Sequence, residues 1–203
     1  MSSAVFEKNI AWSGSCVARS TSVTTGAAAA QNCFVERFIN QGLGDPDVII
    51  FHGGTNDVRN KAKTVALYPG YPVYLASGYS AEKTPTDSEM AVVFDTADAV
   101  TTYEESQTLT DTSFIEACVK LLTMMHHRYP SAKVVMIIGD WIPEGSRQAM
   151  LKMAAHYESK YGYKCVDLQN ISPYGSFAVI PKYDGSCHPE ESGMEVMANY
   201  IYE

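Results

Sequence analysis

The stretch DPDVIIFHGGTND, residues 45–57, decides the fold. It contains an uninterrupted apolar run from Val48 to Phe51. Parallel strands that are buried on both faces have this pattern, because helices cover each face of their sheet. His52 follows the run and is followed by Gly53 and Gly54, and glycines at such a place allow another group to approach the backbone closely. The stretch therefore predicts a buried parallel strand that ends at a site.

Strands and helices alternate on both sides of this stretch, which favours an α/β fold with parallel strands. The helix signals are clearest over 113–130, where Ser113 and Glu116 make a capping box and Pro130 ends the helix. Apolar spacing and apolar runs predict the following order: a first strand at 5–13, a helix at 30–41, the strand at 45–52, a helix at 113–130, a strand at 132–140, a helix at 146–161, a strand at 164–171 and a final helix at 189–203.

Length and composition predict one globular domain over residues 1–203, with 46% hydrophobic and 19% charged residues. The 15 Lys and Arg against 23 Asp and Glu give a net charge of −8. Because the sequence has no block of basic residues, we do not expect nucleic acid or an anionic membrane as a partner. The apolar runs are too short to span a bilayer.

The N-terminal residues MSSAVFEKN lack the basic and apolar regions of a signal peptide. We therefore expect a cytoplasmic protein if the chain is complete. A secreted or periplasmic protein stays open if a leader lies outside this sequence. The oligomeric state is also left open by the sequence.

The five cysteines form no CxxC pair and no metal-ligand spacing. We predict scattered, mostly buried thiols. Cys16 and Cys187 each lie beside one of the motifs described below, which allows their sulfurs to be close in space.

Residues 60–112 interrupt the alternation and are longer than an ordinary loop. We interpret them as a lid-like excursion of the domain. They carry five tyrosines that can line a sugar or acyl site, or can pack the excursion itself: Tyr68, Tyr71, Tyr74, Tyr79 and Tyr103.

Candidate site residues fall beyond the carboxyl ends of the predicted strands, where α/β sheets bind ligands. Asn56 follows the glycines of the opening stretch, and its amide nitrogen can donate two hydrogen bonds. In NIAWSGSCV, residues 9–17, the backbone N–H of Gly14 can help to hold an oxyanion. The structural alternative for Asn56 is a turn in which Asn or Asp caps the next segment.

A third candidate lies near the end of the chain, in the sequence YDGSCHPEES. His188 precedes the final helix and is placed as a general base, and Asp184 lies upstream and can orient it. A surface turn built from Asp-Gly and Pro is the alternative.

Taken together, these motifs resemble the SGNH, or GDSL-type, hydrolases, a family named for its Ser, Gly, Asn and His residues. The stretch at 46–57 is similar to the family's Asn block, and HPEESGMEVMANYI at 188–201 to its His block and the helix that follows. Residues 113–138 resemble the helix and strand between the two blocks. The resemblance covers nearly the whole chain and implies a three-layer α/β/α sandwich with a flavodoxin-like, mostly parallel sheet.

The resemblance implies ester hydrolysis through a serine acyl-enzyme, the chemistry of esterases, lipases and carbohydrate deacetylases. His188 would take the serine proton, and Asn56 and the Gly14 N–H would hold the oxyanion. No metal or organic cofactor is implied. The substrate would be a small-molecule or carbohydrate ester, and the tyrosines of the excursion favour a carbohydrate.

Two departures from the family pattern concern the catalytic residues. The family usually has Asp three residues before its His, whereas this chain has Gly185 there and Asp184 one residue earlier. Either Asp184 still reaches the imidazole, or a backbone carbonyl orients His188 and the site works as a dyad.

The larger departure is the nucleophile, because the chain contains no Gly-Asp-Ser sequence. NIAWSGSCV is similar instead to the family's second block, in which Gly14 is the functional residue and Ser15 a neighbour. The serine block would then lie upstream of Met1, and a sheet without that strand should be poorly stable or prone to associate. In the other interpretation, residues 5–13 are the first strand and Ser15 is an unusual nucleophile.

Proteins of other classes fit the sequence less well. The chain has no G-x-S-x-G elbow of an α/β-hydrolase and no G-x-G-x-x-G dinucleotide motif. A thiol hydrolase that uses Cys16 with His188 lacks any sign of thiol activation. The main alternative is an SGNH-like module without activity that binds a carbohydrate or a protein partner through residues 60–112.

Overall fold

A computed structural model of the chain contains the parallel sheet that the sequence predicts. It describes residues 5–11, 15–19, 33–59, 66–69, 71–72, 74–75, 78–79, 84–139, 142–170 and 191–202. The helices of this part are α1 (Phe34–Gln41), α2 (Thr55–Arg59), α3 (Asp87–Asp98), α4 (Tyr103–Ser106), α5 (Phe114–Arg128), α6 (Glu144–Tyr161) and α7 (Glu191–Tyr202), with a 3-10 turn at Leu168–Asn170. The strands are β1 (Val48–His52), β2 (Ala66–Tyr68), β3 (Tyr71–Pro72), β4 (Tyr74–Leu75), β5 (Gly78–Tyr79), β6 (Lys133–Ile138) and β7 (Lys164–Asp167).

The central sheet has the order β1-β6-β7, and both pairings are parallel. The register places Ile50 opposite Val135 in β6, and Ile137 of β6 opposite Val166 in β7. Parallel neighbours require crossover connections, and α5 and α6 lie in the crossovers from β1 to β6 and from β6 to β7. The fold is therefore the expected α/β type.

Helices cover the two faces of the sheet unequally. Alternate residues of β6 point to opposite faces: Val134 and Met136 belong to the main core, which α1, α5 and α6 also line. Val135 and Ile137 belong to a small second core with Met197 of α7. The sheet thus has helices on both faces, as in a three-layer sandwich.

Strand β1 is covered on one face only. Ile49 and Phe51 are buried in the main core, but on the opposite face Val48 is 52% exposed and Ile50 is 62% exposed. Helix α7 packs over β6 and β7 on that face. The apolar run predicted that β1 is buried on both faces. In the structure, the face of β1 on the α7 side of the sheet is exposed.

The prediction of a first strand at 5–13 is wrong for residues 5–11, which form no regular element. Side chains tether this stretch to the turn before β1: Glu7 accepts a hydrogen bond from the backbone N–H of Asp45 (2.8 Å), and Lys8 donates to the carbonyl of Gln41 (2.9 Å). A strand needs a neighbour that supplies ladder hydrogen bonds. Between residues 5–11 and β1 there is instead a cavity of about 760 Å³.

The predicted strands at 45–52, 132–140 and 164–171 are present as β1, β6 and β7, although β7 ends at Asp167 and a 3-10 turn follows it. The capping box of α5 is present: the N–H of Glu116 donates to the Ser113 hydroxyl, and the Glu116 carboxylate accepts from the Ser113 N–H. The excursion at 60–112 contains two short antiparallel hairpins and the helices α3 and α4. Within the described ranges, no helix combines the length and hydrophobicity needed to cross a bilayer.

Candidate active site

The loop after β1 and the segment 15–18 meet at the carboxyl edge of the sheet. The side-chain Nδ2 of Asn56 donates a hydrogen bond to the carbonyl oxygen of Ser15 (3.2 Å). A primary amide nitrogen carries two hydrogens, and this bond uses one of them. Two of the sequence-predicted site residues, Asn56 and Ser15, are therefore brought together.

Asp57 fixes the position of the segment that follows Ser15. Its carboxylate accepts hydrogen bonds from the backbone N–H groups of Val17 (2.9 Å) and Ala18 (2.8 Å). Asp57 is only 1% exposed and both bonds are buried. Hydrogen bonds to an ionised acceptor are among the stronger ones in proteins, so Asp57 holds the segment firmly against the loop after β1.

Gly54 makes this contact geometrically possible. Its φ of +106° lies in the region that favours glycine, and a Cβ there would come within 2.7 Å of the Phe114 ring. The turn between β1 and α2 therefore requires a residue without a side chain. This requirement explains the glycine directly before Thr55 in the opening stretch.

Helix α1 meets the same segment from the other side. The N–H of Phe34, at the start of α1, donates to the carbonyl of Cys16 (2.9 Å), and Cys33 pairs with Cys16 as an isolated parallel bridge. The Cys33 thiol donates to the carbonyl of Val17 (3.0 Å). The Phe34 bond gives one backbone N–H of the first turn of α1 an acceptor, although the N-cap residue Cys33 makes no side-chain capping bond.

The four cysteines in the described residues are free thiols, and Cys16, Cys33 and Cys118 are buried. Burial raises the pKa of the Cys33 thiol to about 11 and that of Cys165 to about 11, and burial also raises the pKa of Cys118. The prediction of mostly buried thiols is confirmed for Cys16, Cys33 and Cys118, whereas Cys165 is only partly buried. Cys187 lies outside the described residues, so its proximity to Cys16 stays a prediction.

The Ser15 side chain is enclosed. Ser15 is 5% exposed, and its hydroxyl oxygen accepts a hydrogen bond from Nη2 of Arg37 (3.0 Å). Arg37 is itself 3% exposed, and its guanidinium lies 4.9 Å from the centre of the Phe34 ring. Burial lowers the pKa of this guanidinium from its ordinary value. A buried cation therefore lies beside the Ser15 hydroxyl.

Charged side chains support the outer side of the segment. Arg19 forms an ion pair with Glu36 of α1, and its backbone N–H donates to the carbonyl of Asp111 (3.1 Å). Asp111 in turn pairs with Lys120 of α5 (3.2 Å), and both of these residues are buried. Residues 15–19 are thus anchored to two helices as well as to the loop after β1.

His52 and Arg37 are site residues that the sequence analysis did not single out. A Cβ added at Gly139, just after β6, would lie 3.3 Å from Nε2 of His52, so His52 reaches the carboxyl end of the neighbouring strand. Arg37 follows Glu36 on α1, and two adjacent residues of opposite charge are typical of a solvent-exposed helix face. The sequence therefore gives no sign that Arg37 is buried.

Three predicted site residues, Gly14, Asp184 and His188, lie outside the described residues. Their roles therefore stay predictions. Within the described part of the chain, the geometry brings together Asn56, Asp57 and Ser15 at the carboxyl edge of β1.

The fold is shared with two crystal structures, each named "putative GDSL-like lipase". One, from Bacteroides ovatus, has a TM-score of 0.54 and 20% identity, over 93% of this chain and 66% of that one. The other, from Bacteroides uniformis, has a TM-score of 0.55 and 22% identity, over 93% of this chain and 64% of that one. The chain thus spans slightly less than two thirds of the length of either structure. No family model matches the sequence, and no curated protein matches it.

Proposed function

We propose that the chain carries the active site of a serine-dependent ester hydrolase of the SGNH type. The observation that supports this most is the junction at the carboxyl edge of β1, where Asn56 donates to the carbonyl of Ser15 and Asp57 accepts from the N–H groups of Val17 and Ala18. This junction joins the Asn block of the sequence to the block that contains Gly14. The GDSL-like fold is consistent with the same chemistry.

The proposed reaction is acyl transfer to water. A serine hydroxyl attacks the ester carbonyl carbon while His188 takes its proton. The negative charge on the carbonyl oxygen is held by the Asn56 amide and the Gly14 N–H. The C–O bond then breaks, and His188 returns the proton to the leaving alcohol. Water, deprotonated by His188, attacks the acyl-serine and releases the acid, and Asp184 orients the imidazole.

Ser15 is the tentative nucleophile within this chain, but its surroundings favour another assignment. A serine nucleophile must be accessible to substrate and must give its proton to the base. The Ser15 hydroxyl is enclosed and accepts its bond from Arg37. We therefore favour a positioning role for Ser15 over a role as the nucleophile.

We propose a carbohydrate ester over a simple acyl ester as the substrate. The support is the tyrosine content of the excursion at 60–112, because tyrosine rings can stack on a sugar ring. The alternative function is a module without activity that binds a carbohydrate or a protein partner. The enclosed Ser15 hydroxyl is the observation that favours this alternative.

The test is hydrolysis of 4-nitrophenyl acetate, 4-nitrophenyl octanoate and acetylated xylan by the full-length natural protein. We expect turnover that is abolished by His188→Ala and kept by His126→Ala, a control on α5. Acetylated xylan should be the preferred ester. Absence of turnover from a folded protein that still binds xylan would support the module without activity and contradict the hydrolase.

A further inference from the structure

A small space at the carboxyl edge of the sheet, between the ends of β1 and β6, is lined by His52, Thr55, Gly139 and Ile142, and we call it the Gly139 niche. A Cβ added at Gly139 would lie 3.3 Å from Nε2 of His52, 3.6 Å from Oγ1 of Thr55 and 3.7 Å from Cγ1 of Ile142. An imidazole nitrogen and a hydroxyl oxygen therefore converge on one point, with an aliphatic carbon beside them. Gly139 leaves this point unfilled because it has no side chain.

The two polar side chains of the niche can be reached from solvent. Residues of β1 alternate between exposed and buried, and His52 is one of the exposed ones. Thr55 is partly buried. Ile142 is 2% exposed and belongs to the main core. The niche is therefore a recess with a buried apolar wall and two accessible polar groups.

Hydrogen bonds from the turn after β7 hold the wall of the niche in place. Nε2 of Gln169 donates to the carbonyl oxygens of Gly139 (3.1 Å) and Ile142 (2.6 Å), which uses both hydrogens of the amide. The backbone N–H of Gln169 donates to the Asp167 carboxylate (3.1 Å), which also accepts from Nε of Arg147 (2.9 Å). A recess that is fixed before binding loses little freedom on binding, which favours recognition of a ligand.

The niche adjoins the position proposed for the oxyanion. Thr55 directly precedes Asn56, whose amide donates to the carbonyl of Ser15 (3.2 Å). The proposed function, on which this inference rests, places the ester carbonyl oxygen at Asn56. A substituent on the carbon next to the esterified carbon of the alcohol is then within reach of the niche.

We propose that His52 and Thr55 bind a free hydroxyl group on the alcohol half of the ester. An imidazole nitrogen and a hydroxyl oxygen can supply one donor and one acceptor between them, and a hydroxyl group both donates and accepts. The site thus selects esters in which the esterified carbon lies next to a carbon that carries a hydroxyl. Partly acetylated sugars and polyols have this arrangement, and simple alkyl esters lack it.

A neutral hydroxyl group fits the niche better than the other parts of an ester substrate. Two of the three atoms nearest the unfilled point are polar. An acyl methyl group would cover these atoms without making hydrogen bonds to them, which is unfavourable. An anionic group would require a fixed positive charge, whereas an imidazole is charged only when it is protonated. The chemistry of the niche therefore matches a hydroxyl.

Two esters of equal size test the proposal, because 2-hydroxyethyl acetate has a hydroxyl where propyl acetate has a methyl group. In the full-length natural protein, we expect kcat/KM to be about tenfold higher for the hydroxyethyl ester, equal to about 1.4 kcal/mol. The ratio should fall to about one in His52→Ala, whereas His52→Gln, which keeps a side-chain nitrogen, should retain a preference. His126→Ala is the control and should keep the full ratio. Equal kcat/KM values in the natural protein, or a ratio that His52→Ala leaves unchanged, would overturn the assignment.

A second variant fills the niche without removing a polar group. Gly139→Ala places a methyl group 3.3 Å from Nε2 of His52, and the exposed imidazole can move aside by a few tenths of an ångström. We expect the ratio to fall toward one while Tm shows that the protein is folded. An unchanged ratio in folded Gly139→Ala would overturn the niche as the hydroxyl site.

Binding of two amides separates this inference from the proposed function. N-(2-hydroxyethyl)acetamide and N-propylacetamide have nearly the shapes of the two esters, and NMR shifts of the His52 Cε1–H measure their binding without hydrolysis. The resonance is assigned by its loss in His52→Gln. We expect about tenfold tighter binding of the hydroxyethyl amide to the natural protein, and equal binding of both amides to Gly139→Ala.

The two assays together distinguish the possible failures. If neither ester is hydrolysed but the amide preference is present, the hydrolase is contradicted and the hydroxyl site is supported. If both esters are hydrolysed equally well and the amides bind equally, the hydroxyl site is overturned and the hydrolase is supported. Absence of both hydrolysis and the amide preference would overturn both.

Discussion

At the scale of single residues, Asn56 connects the fold to the proposed chemistry. It stands at the start of α2, and its amide reaches the carbonyl of Ser15 across a turn that only glycine permits at position 54. Removing a single oxyanion donor typically lowers kcat by about 100- to 1000-fold. The position of Asn56 therefore leads to a direct prediction on catalysis.

Asn56→Ala should lower kcat for 4-nitrophenyl acetate by about 100- to 1000-fold in the full-length natural protein, with a much smaller change in KM. The control is Asn199→Ala, an exposed asparagine on α7. Equal kcat values for the two variants would show that Asn56 only shapes the turn.

Asp57 has a structural role that can be separated from catalysis. Asp57→Ala leaves the buried N–H groups of Val17 and Ala18 without their acceptor, which should lower the free energy of unfolding by about 1–3 kcal/mol. Urea denaturation of the chain measures this. Asp95→Ala, at an exposed position of α3, should change the stability by less than about 0.5 kcal/mol. A similar loss in both variants would contradict the assigned role.

The buried thiols give a prediction that needs no substrate. Because burial raises the pKa of the Cys33 thiol to about 11, little of it is thiolate at pH 8, and only the thiolate reacts with iodoacetamide. Cys33 should be alkylated slowly in the folded chain and rapidly in urea at the same pH, as measured by mass spectrometry. Rapid alkylation in the folded chain would show that Cys33 is accessible and that its environment differs from the one described.

At the scale of elements, helix α5 is the part of the chain that the sequence specifies most completely. Its capping box, its apolar spacing and the proline after its end all act locally, so each could be identified without the fold. Ser113→Ala should lower the free energy of unfolding by about 1 kcal/mol. Ser131→Ala, at an exposed turn, is the control, and equal stability of the two variants would contradict the capping role.

Strand β1 and the segment 5–11 show where sequence reasoning succeeds and where it fails. The apolar run of β1 predicts a strand because burial in a parallel sheet requires such side chains. Residues 5–11 have a similar appearance, but strand formation depends on a neighbour that supplies hydrogen bonds, and local sequence carries no information about that neighbour. The sequence analysis missed Arg37 for a related reason, because its burial depends on contacts that exist only in the folded chain. Ser15 lies 22 residues earlier in the sequence, and the Phe34 ring comes close to Arg37 only when both lie in a helix.

The candidate site was predicted from sequence in part. The sequence analysis placed Asn56 and the segment around Ser15 at one candidate site, and in the structure the Asn56 amide donates to the Ser15 carbonyl at 3.2 Å. The roles of Gly14, Asp184 and His188 stay predictions. The function of Asp57 as an anchor for Val17 and Ala18 could not be predicted, because it depends on the exact position of a backbone segment 40 residues earlier in the chain.

At the scale of the whole molecule, the sheet is asymmetric. Among the residues that the structure describes, strand β6 is paired on both edges and β1 on one edge, and the side chains of Val48 and Ile50 are exposed on the α7 side of the sheet. Backbone amides with fewer protecting neighbours exchange through local opening of lower free energy. Hydrogen exchange on the 203-residue chain should therefore be faster in peptides that cover 48–52 than in those that cover 133–138. Equal protection of the two strands would mean that the edge of β1 is already occupied.

The central claim, a serine-dependent hydrolase site, is tested most directly by fluorophosphonate labelling of the full-length natural protein, read by peptide mass spectrometry. The account predicts a single labelled serine, with labelling lost in His188→Ala and retained in His126→Ala. A label on a serine outside residues 1–203 would support the assigned positioning role of Ser15, and a label on Ser15 would reassign the nucleophile within the same chemistry. A folded protein that takes up no label at all would contradict the hydrolase.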